Sequence, residues 1–186
     1  MRKSFNNKGF SILEASVVMG VVSIGILGVF SLILQNIQVQ KVNKNILIAS
    51  MLAQEGLELV RNIRDDNWII AGNDWDLDIA GWNNDDFTID YAMILADADD
   101  GDNDNDITEE AGTALYKDGA NNFYTHTAAG NTATQFFRLI AADGIDASIP
   151  VDGVIDYYKV KSHVQWKDNK GVLKNYIAET YLYNWR

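Results

Sequence analysis

Six aspartates, Asp97, Asp99, Asp100, Asp102, Asp104 and Asp106, fall within ten residues of the stretch "LADADDGDNDNDITEE". Hard cations such as Ca²⁺ take about six to eight oxygen ligands, and Asp at alternate positions of a tight loop presents several at once. Asp102, Asp104 and Asp106 repeat the D-x-D-x-D opening of an EF-hand loop. The register then departs, because Ile107 stands where that loop needs Gly and Thr113 where it needs its last ligand. We therefore expect a structural Ca²⁺ site in an acidic loop at 97–110 that is not an EF-hand. The opposing reading is a solvated run, since like charges at this density repel without a counter-ion. The chain has no cysteine, so no disulfide can staple the domain and a cation would be its available cross-link.

A seventh acid sits in unusual company. Glu14 is the only charged residue from position 10 to position 34, within "FSILEASVVMGVVSIGILGVFSLIL". At ~1.5 Å per residue this run reaches about 37 Å, enough to cross a ~30 Å hydrocarbon core as a helix. A carboxylate near such a helix costs roughly 2.5 to 3.5 kcal/mol at the bilayer centre and is treated as functional, with a partner to be named. Arg2, Lys3 and Lys8 precede the run and would keep its N-terminal end in the cytoplasm. The run is too long for the apolar region of an ordinary secretory signal, and no small-residue cleavage site follows it.

Other chemistry is poorly represented. The net charge is −11, and the three basic residues before Phe10 leave 12 of the 15 against 26 acids, or −14, for a chain that begins there. Such a surface disfavours direct nucleic-acid binding, which needs clustered cations. His126 and His163 are the only histidines and read as surface residues, one in a Gly/Asn/Thr-rich loop and one in a strand beside Lys161. No G-x-S-x-G, H-E-x-x-H, P-loop or dinucleotide fingerprint is present, and an enzyme is not expected.

The elements that must position these groups follow from periodicity. Val42, Ile46, Ala49, Ala53, Gly56, Val60 and Ile63 alternate spacings of four and three, a single helical stripe beside Leu52, Glu55 and Leu59. One helix from Phe10 to near Arg64 is predicted, with a membrane half at 10–34 and an amphipathic half at 35–64. Residues 65–86 read as a loop in which Trp68, Trp75 and Trp82 cover a small core. Phe87, Ile89, Tyr91 and Met93 alternate as a strand, a second covers 135–141, and Val160, Val164 and Trp166 lead into a hairpin turned by Asp168, Asn169 and Gly171. The returning arm is apolar on both faces and reads as a central strand. The fold class is α+β, a long N-terminal helix packed on a C-terminal antiparallel sheet spanning 65–186.

Lys8-Gly9-Phe10-Ser11-Ile12-Leu13-Glu14, followed by an uninterrupted apolar helix, resembles the class III signal of type IV pilins and type II secretion pseudopilins. The resemblance implies a leader at 1–9, cut between Gly9 and Phe10 by a prepilin peptidase, and N-methylation of Phe10. It implies polymerisation through the helix with other pilin or pseudopilin subunits on an inner-membrane assembly platform. Glu14 is then the assembly glutamate. The freed amine of an incoming subunit is cationic near neutrality, and beside a neighbour's Glu14 it would set the axial register. The implied place is a single pass of the cytoplasmic membrane before assembly, then a pilus or pseudopilus. The ending "TYLYNW" leans towards the minor subunits of these systems. The family's frequent proline in this half is absent, and Gly20, Gly25 and Gly28 stand there instead, each lowering helix propensity by up to ~1 kcal/mol. The alternative is a membrane-tethered, non-polymerising extracytoplasmic domain that binds Ca²⁺ or another ligand.

Overall fold

A computed structural model describes residue 9 and residues 11–80, 86–98, 106–110, 112–147, 153–168 and 170–184. The chain forms two compact units, Met1–Lys44 and Asn45–Arg186.

A single helix, α1 (Ile12–Ile69), contributes to both. In the first unit its large apolar side chains are exposed, and the most apolar window has a mean hydropathy of 2.7 with none of it buried. A helix apolar on all sides satisfies every backbone group internally and leaves its side chains for lipid or for other helices. The hydroxyls conform: Ser16 Oγ donates to the Leu13 carbonyl at 2.8 Å and Ser23 Oγ to that of Met19 at 2.7 Å. No helix break is present at Gly20, Gly25 or Gly28. This one long apolar helix near the N-terminus is compatible with a membrane anchor.

In the second unit α1 lies on an antiparallel sheet. The predicted stripe is buried from Ala49 onward, at Ala49, Ala53, Gly56, Val60 and Ile63, with Leu52 and Leu57 beside it. Val42 and Ile46, the first two stripe positions, are exposed. The helix also runs five residues past the predicted end near Arg64. The polar "RDDN" sequence argues for a loop, but side-chain contacts, one beyond the helix and one within it, hold the last turn. Buried Asn67 donates from Nδ2 to the Leu77 carbonyl at 2.7 Å, and the Arg64 guanidinium lies 4.6 Å from the Trp68 ring centre.

The strands are β1 (Asp86–Ile89), β2 (Leu95–Asp97), β3 (Ala114–Lys117), β4 (Tyr124–Thr125), β5 (Thr132–Ile145), β6 (Tyr157–Lys167) and β7 (Leu173–Tyr183). One long edge of β5 pairs with β6, and the other is shared by β3 and β1; β6 in turn pairs with β7. The period of two sends Phe136, Arg138, Ile140 and Ala142 towards α1, and Phe137 and Leu139 to the opposite face. Two cores fill the helix-facing side. Leu57, Val60 and Ile63 meet Phe87, Ile140, Val160 and Leu182, while Ala49, Leu52 and Ala53 meet Leu115, Phe136, Val164 and Trp166. Gly56 brings the helix close, since a Cβ there would lie 2.6 Å from Ser162 Oγ and 2.8 Å from Ile140 Cδ1.

Two expectations for the sheet are corrected. The strand predicted through Met93 stops at Ile89, because Asp90 Oδ1 accepts from the Ala92 amide and the Asp90 carbonyl from that of Met93, whose φ is +58°. The chain reverses there into β2. The returning arm of the hairpin, β7, pairs among the described residues with β6 alone, so it is an edge and not a central strand. Its second apolar face, with Ile177, Tyr181 and Tyr183, is exposed beside Tyr157. The hairpin turn itself is as expected: Asp168 Oδ1 accepts from the amides of Lys170 and Val172, and Gly171 takes φ +75°. Asn169 lies outside the described residues.

Candidate functional site

The sequence points to two places, and the structure adds a third. At the N-terminal end, Gly9 is exposed with open space around it, and Phe10 lies outside the described residues. Glu14 follows in the first turn of α1 and is exposed. Ser11 and Glu14 have the S-x-x-E spacing of a capping box, in which the two side chains would satisfy the helix's free amides. Neither side chain makes a hydrogen bond or ion pair with another described residue, so the Glu14 carboxylate is not spent on its own helix. A negative charge in a first turn is favoured by the helix dipole. Further along, Gly25 leaves a shallow apolar notch between Val22, Ile26, Val29 and Phe30. Close approach of another helix needs such a notch.

Of the acidic loop, Asp99, Asp100, Asp102 and Asp104 lie outside the described residues. Asp97 belongs to β2, opposite Phe87. Asp106 accepts from the amide of Thr108 at 3.0 Å and from its hydroxyl at 2.6 Å, and the hydroxyl bond foremost holds its carboxyl below the usual carboxylate range. Among the described residues, no group of three or more metal-ligating side chains is gathered. Thr113, the last position of the EF-hand register, is buried, and its hydroxyl donates to the Ile107 carbonyl at 2.6 Å. The two ends of the acidic run are nonetheless anchored together. Ala98 and Ile107 both bury against Leu139 on the sheet face away from the helix, and the Ile107 amide donates to Gln165 Oε1 at 3.0 Å.

The third place is a buried polar cluster that the sequence reading missed. Arg138 is fully buried on the helix-facing side of β5. Its Nη1 donates to the Leu52 carbonyl at 3.1 Å and lies 3.7 Å from Glu55 Oε1, and its Nη2 donates to the Ile89 carbonyl. Asp90, 1% exposed, accepts from the Thr125 hydroxyl at 2.5 Å and adds a second negative charge near the guanidinium. Burial pushes the Arg138 pKa down, and Glu55 and then Asp90 oppose that. The visible signal was a lone cation at an inward register of "QFFRLIAA".

Both histidines depart from the surface placement expected of them. Burial first, and then the charge of Arg138, lower the His126 pKa to about 4. Its ring nitrogens are closed to solvent and reach no hydrogen bond of ordinary geometry, the backbone of Gly112 and Ala114 offering only weak attraction. His163 is half-buried and accepts from Gln165 Nε2 at 3.1 Å, and burial lowers its pKa too. Trp68 and Trp75 do pack on the core as expected, and Trp82 lies outside the described residues.

No family model, curated protein or solved structure matches the chain.

Proposed function

We propose that the chain is a prepilin-like structural subunit, cut after Gly9, methylated at Phe10 and polymerised through its N-terminal helix into a type IV pilus or type II secretion pseudopilus. The observation that carries this reading is Glu14. It follows the G-F-S-I-L-E spacing, stands in the first turn of an otherwise uncharged apolar helix, and has no partner among the described residues of its own chain. A carboxylate in that setting calls for a cation from another molecule, and the amine released at Phe10 of a neighbour is that cation. The helix-on-antiparallel-sheet layout supports the same reading, as does the exposed apolar length of α1 before Lys44. Before assembly the helix would sit in the cytoplasmic membrane. The acidic loop would bind Ca²⁺ at the surface, with Asp97, Asp99, Asp100, Asp102, Asp104 and Asp106 as its candidate ligands. A bound ion would tie the run between Ala98 and Ile107, whose ends are already fixed.

The test is the intact mass and N-terminal sequence of the protein from sheared surface filaments and, separately, from membranes. The expected result is a chain beginning at methylated Phe10 in the filament fraction. A chain that retains Met1 and stays in membranes would reject the reading in favour of a tethered, non-polymerising domain.

A further inference from the structure

A groove of about 460 Å³ opens beside the buried Arg138 cluster, lined by Glu55 and Leu59 from α1 and by Tyr91, Asn122, Phe123 and Tyr124. This volume suits a small molecule and is too small for the face of a macromolecule. Three of the six lining residues are aromatic. Phe123, 57% exposed, meets Tyr91 edge to face at a centroid distance of 5.3 Å.

These rings are held in place. The Tyr91 hydroxyl donates to Asp118 Oδ2 at 2.6 Å and accepts from Asn121 Nδ2 at 3.2 Å. The turn that presents Phe123 is locked by three bonds: Asp118 Oδ1 accepts from the Ala120 amide, Asn121 Oδ1 from the Phe123 amide, and the Phe123 carbonyl from the Asp118 amide. Asn122, at φ +64°, takes the left-handed position that Asn tolerates. An exposed aromatic pair on a rigid turn loses little freedom when a ligand arrives.

Charge then selects the ligand. Two carboxyl groups, Glu55 and Asp90, face the one guanidinium of Arg138, and His126 beside them is neutral above about pH 4. Glu55 is the member of the cluster that reaches the groove, where it also raises the pKa of Tyr124, second to burial. Asp118 adds another carboxylate at the rim behind Tyr91. An anion would meet excess negative charge. A primary ammonium needs several acceptors to replace its water, and this lining is mostly ring and aliphatic surface. A quaternary ammonium is weakly hydrated, needs no hydrogen bonds, and is attracted both by ring faces and by a nearby carboxylate.

The geometry points to this groove as a binding site for a small quaternary ammonium ion, with Tyr91, Phe123 and Tyr124 as the aromatic wall and Glu55 as the counter-charge. The site is independent of whether the chain polymerises.

The experiment is calorimetric titration of the full chain in maltoside micelles with choline, and with 3,3-dimethylbutan-1-ol, which has the same shape without the charge. Choline should bind saturably at one per chain, and the alcohol roughly tenfold more weakly or not at all. Phe123→Ala should weaken choline by about fivefold or more. This residue is exposed, and an unchanged melting curve would show that the variant folds. Glu55→Gln should weaken choline and leave the alcohol unaffected. Absence of saturable choline binding, equal binding of the alcohol, or full affinity in Phe123→Ala would each overturn the proposal.

Discussion

The guanidinium of Arg138, with no exposure to solvent, lies 3.7 Å from the carboxylate of Glu55 across the seam between helix and sheet. Two backbone carbonyls, of Leu52 on the helix and Ile89 on β1, accept from the same side chain. One residue of β5 thus cross-links three elements through polar bonds in a mostly apolar layer. Such a network adds geometric specificity because a misregistered helix would leave a buried charge unmatched, at a cost of several kcal/mol.

Arg138→Met should therefore destabilise the domain by about 3 to 5 kcal/mol, since it removes the cation that faces Glu55 and Asp90 and the donor to the Leu52 and Ile89 carbonyls. Adding Glu55→Gln and Asp90→Asn should recover a measurable part of that loss. Urea denaturation of Arg138→Met, of Glu55→Gln with Asp90→Asn, and of the triple variant checks this, and purely additive losses would argue against a coupled cluster.

Stability should fall as the solution is acidified from about pH 6.5 to 4. His126 titrates near 4 in the folded chain, below the ordinary 6.5. Between those values the unfolded chain binds the extra proton, so the histidine's contribution is whole above 6.5 and is lost as pH drops towards 4. Its full size is on the order of 3 kcal/mol. His163, also shifted down, acts in the same direction. A His126→Gln chain should have a flatter profile across this window, and an unchanged slope would rule out His126 as the cause.

Gly56→Ala should lower stability by about 1 to 3 kcal/mol even though Ala is the better helix former by ~1 kcal/mol. The added methyl meets Ser162 Oγ and Ile140 Cδ1 inside contact distance, and both side chains are buried. Thermal melts of the two chains would show it. A stabilised variant would mean that the helix can lift from the sheet at no cost.

Glu14→Ala should leave membrane insertion and processing at Gly9 intact while incorporation into filaments drops by at least about a hundredfold, the consequence of an unpaired amine in an apolar packing. Quantitative blotting of membrane and sheared fractions reads both. Wild-type incorporation would remove charge pairing as the registering device.

Ca²⁺ should raise the melting temperature of the full chain, and replacing Asp102, Asp104 and Asp106 together with Asn should abolish the rise. Mg²⁺ should substitute poorly, because it demands a tighter octahedral shell and dehydrates reluctantly. If Ca²⁺ leaves the melting unchanged, the acidic run is simply a solvated surface.

Period and composition were sufficient for the long helix and for the C-terminal hairpin. A wholly apolar run must be a helix if it is to sit in lipid, and spacings of four and three from Ala49 to Ile63 can meet a sheet on one side only. The hairpin at Asp168 was equally legible, because Asp and Gly satisfy that turn from within a few residues. Long-range partners decided the rest. The last turn of α1 persists because Asn67 finds the carbonyl of Leu77, and β1 ends where Asp90 bonds to Ala92 and Thr125. His126 stays neutral down to about pH 4 only because folding closes it in beside Arg138. Whether β7 is an edge strand depends on pairing, which two apolar faces cannot reveal. The sequence by itself determined the long helix, the C-terminal hairpin and the cores of β1 and β5, since those are set by neighbours a few residues away. The short strands β2, β3 and β4 form only by pairing with other strands. The buried charge cluster and the aromatic groove came only with the tertiary structure, because their members, Glu55, Asp90, Phe123 and Arg138, are far apart in the chain and their chemistry depends on sharing one desolvated space.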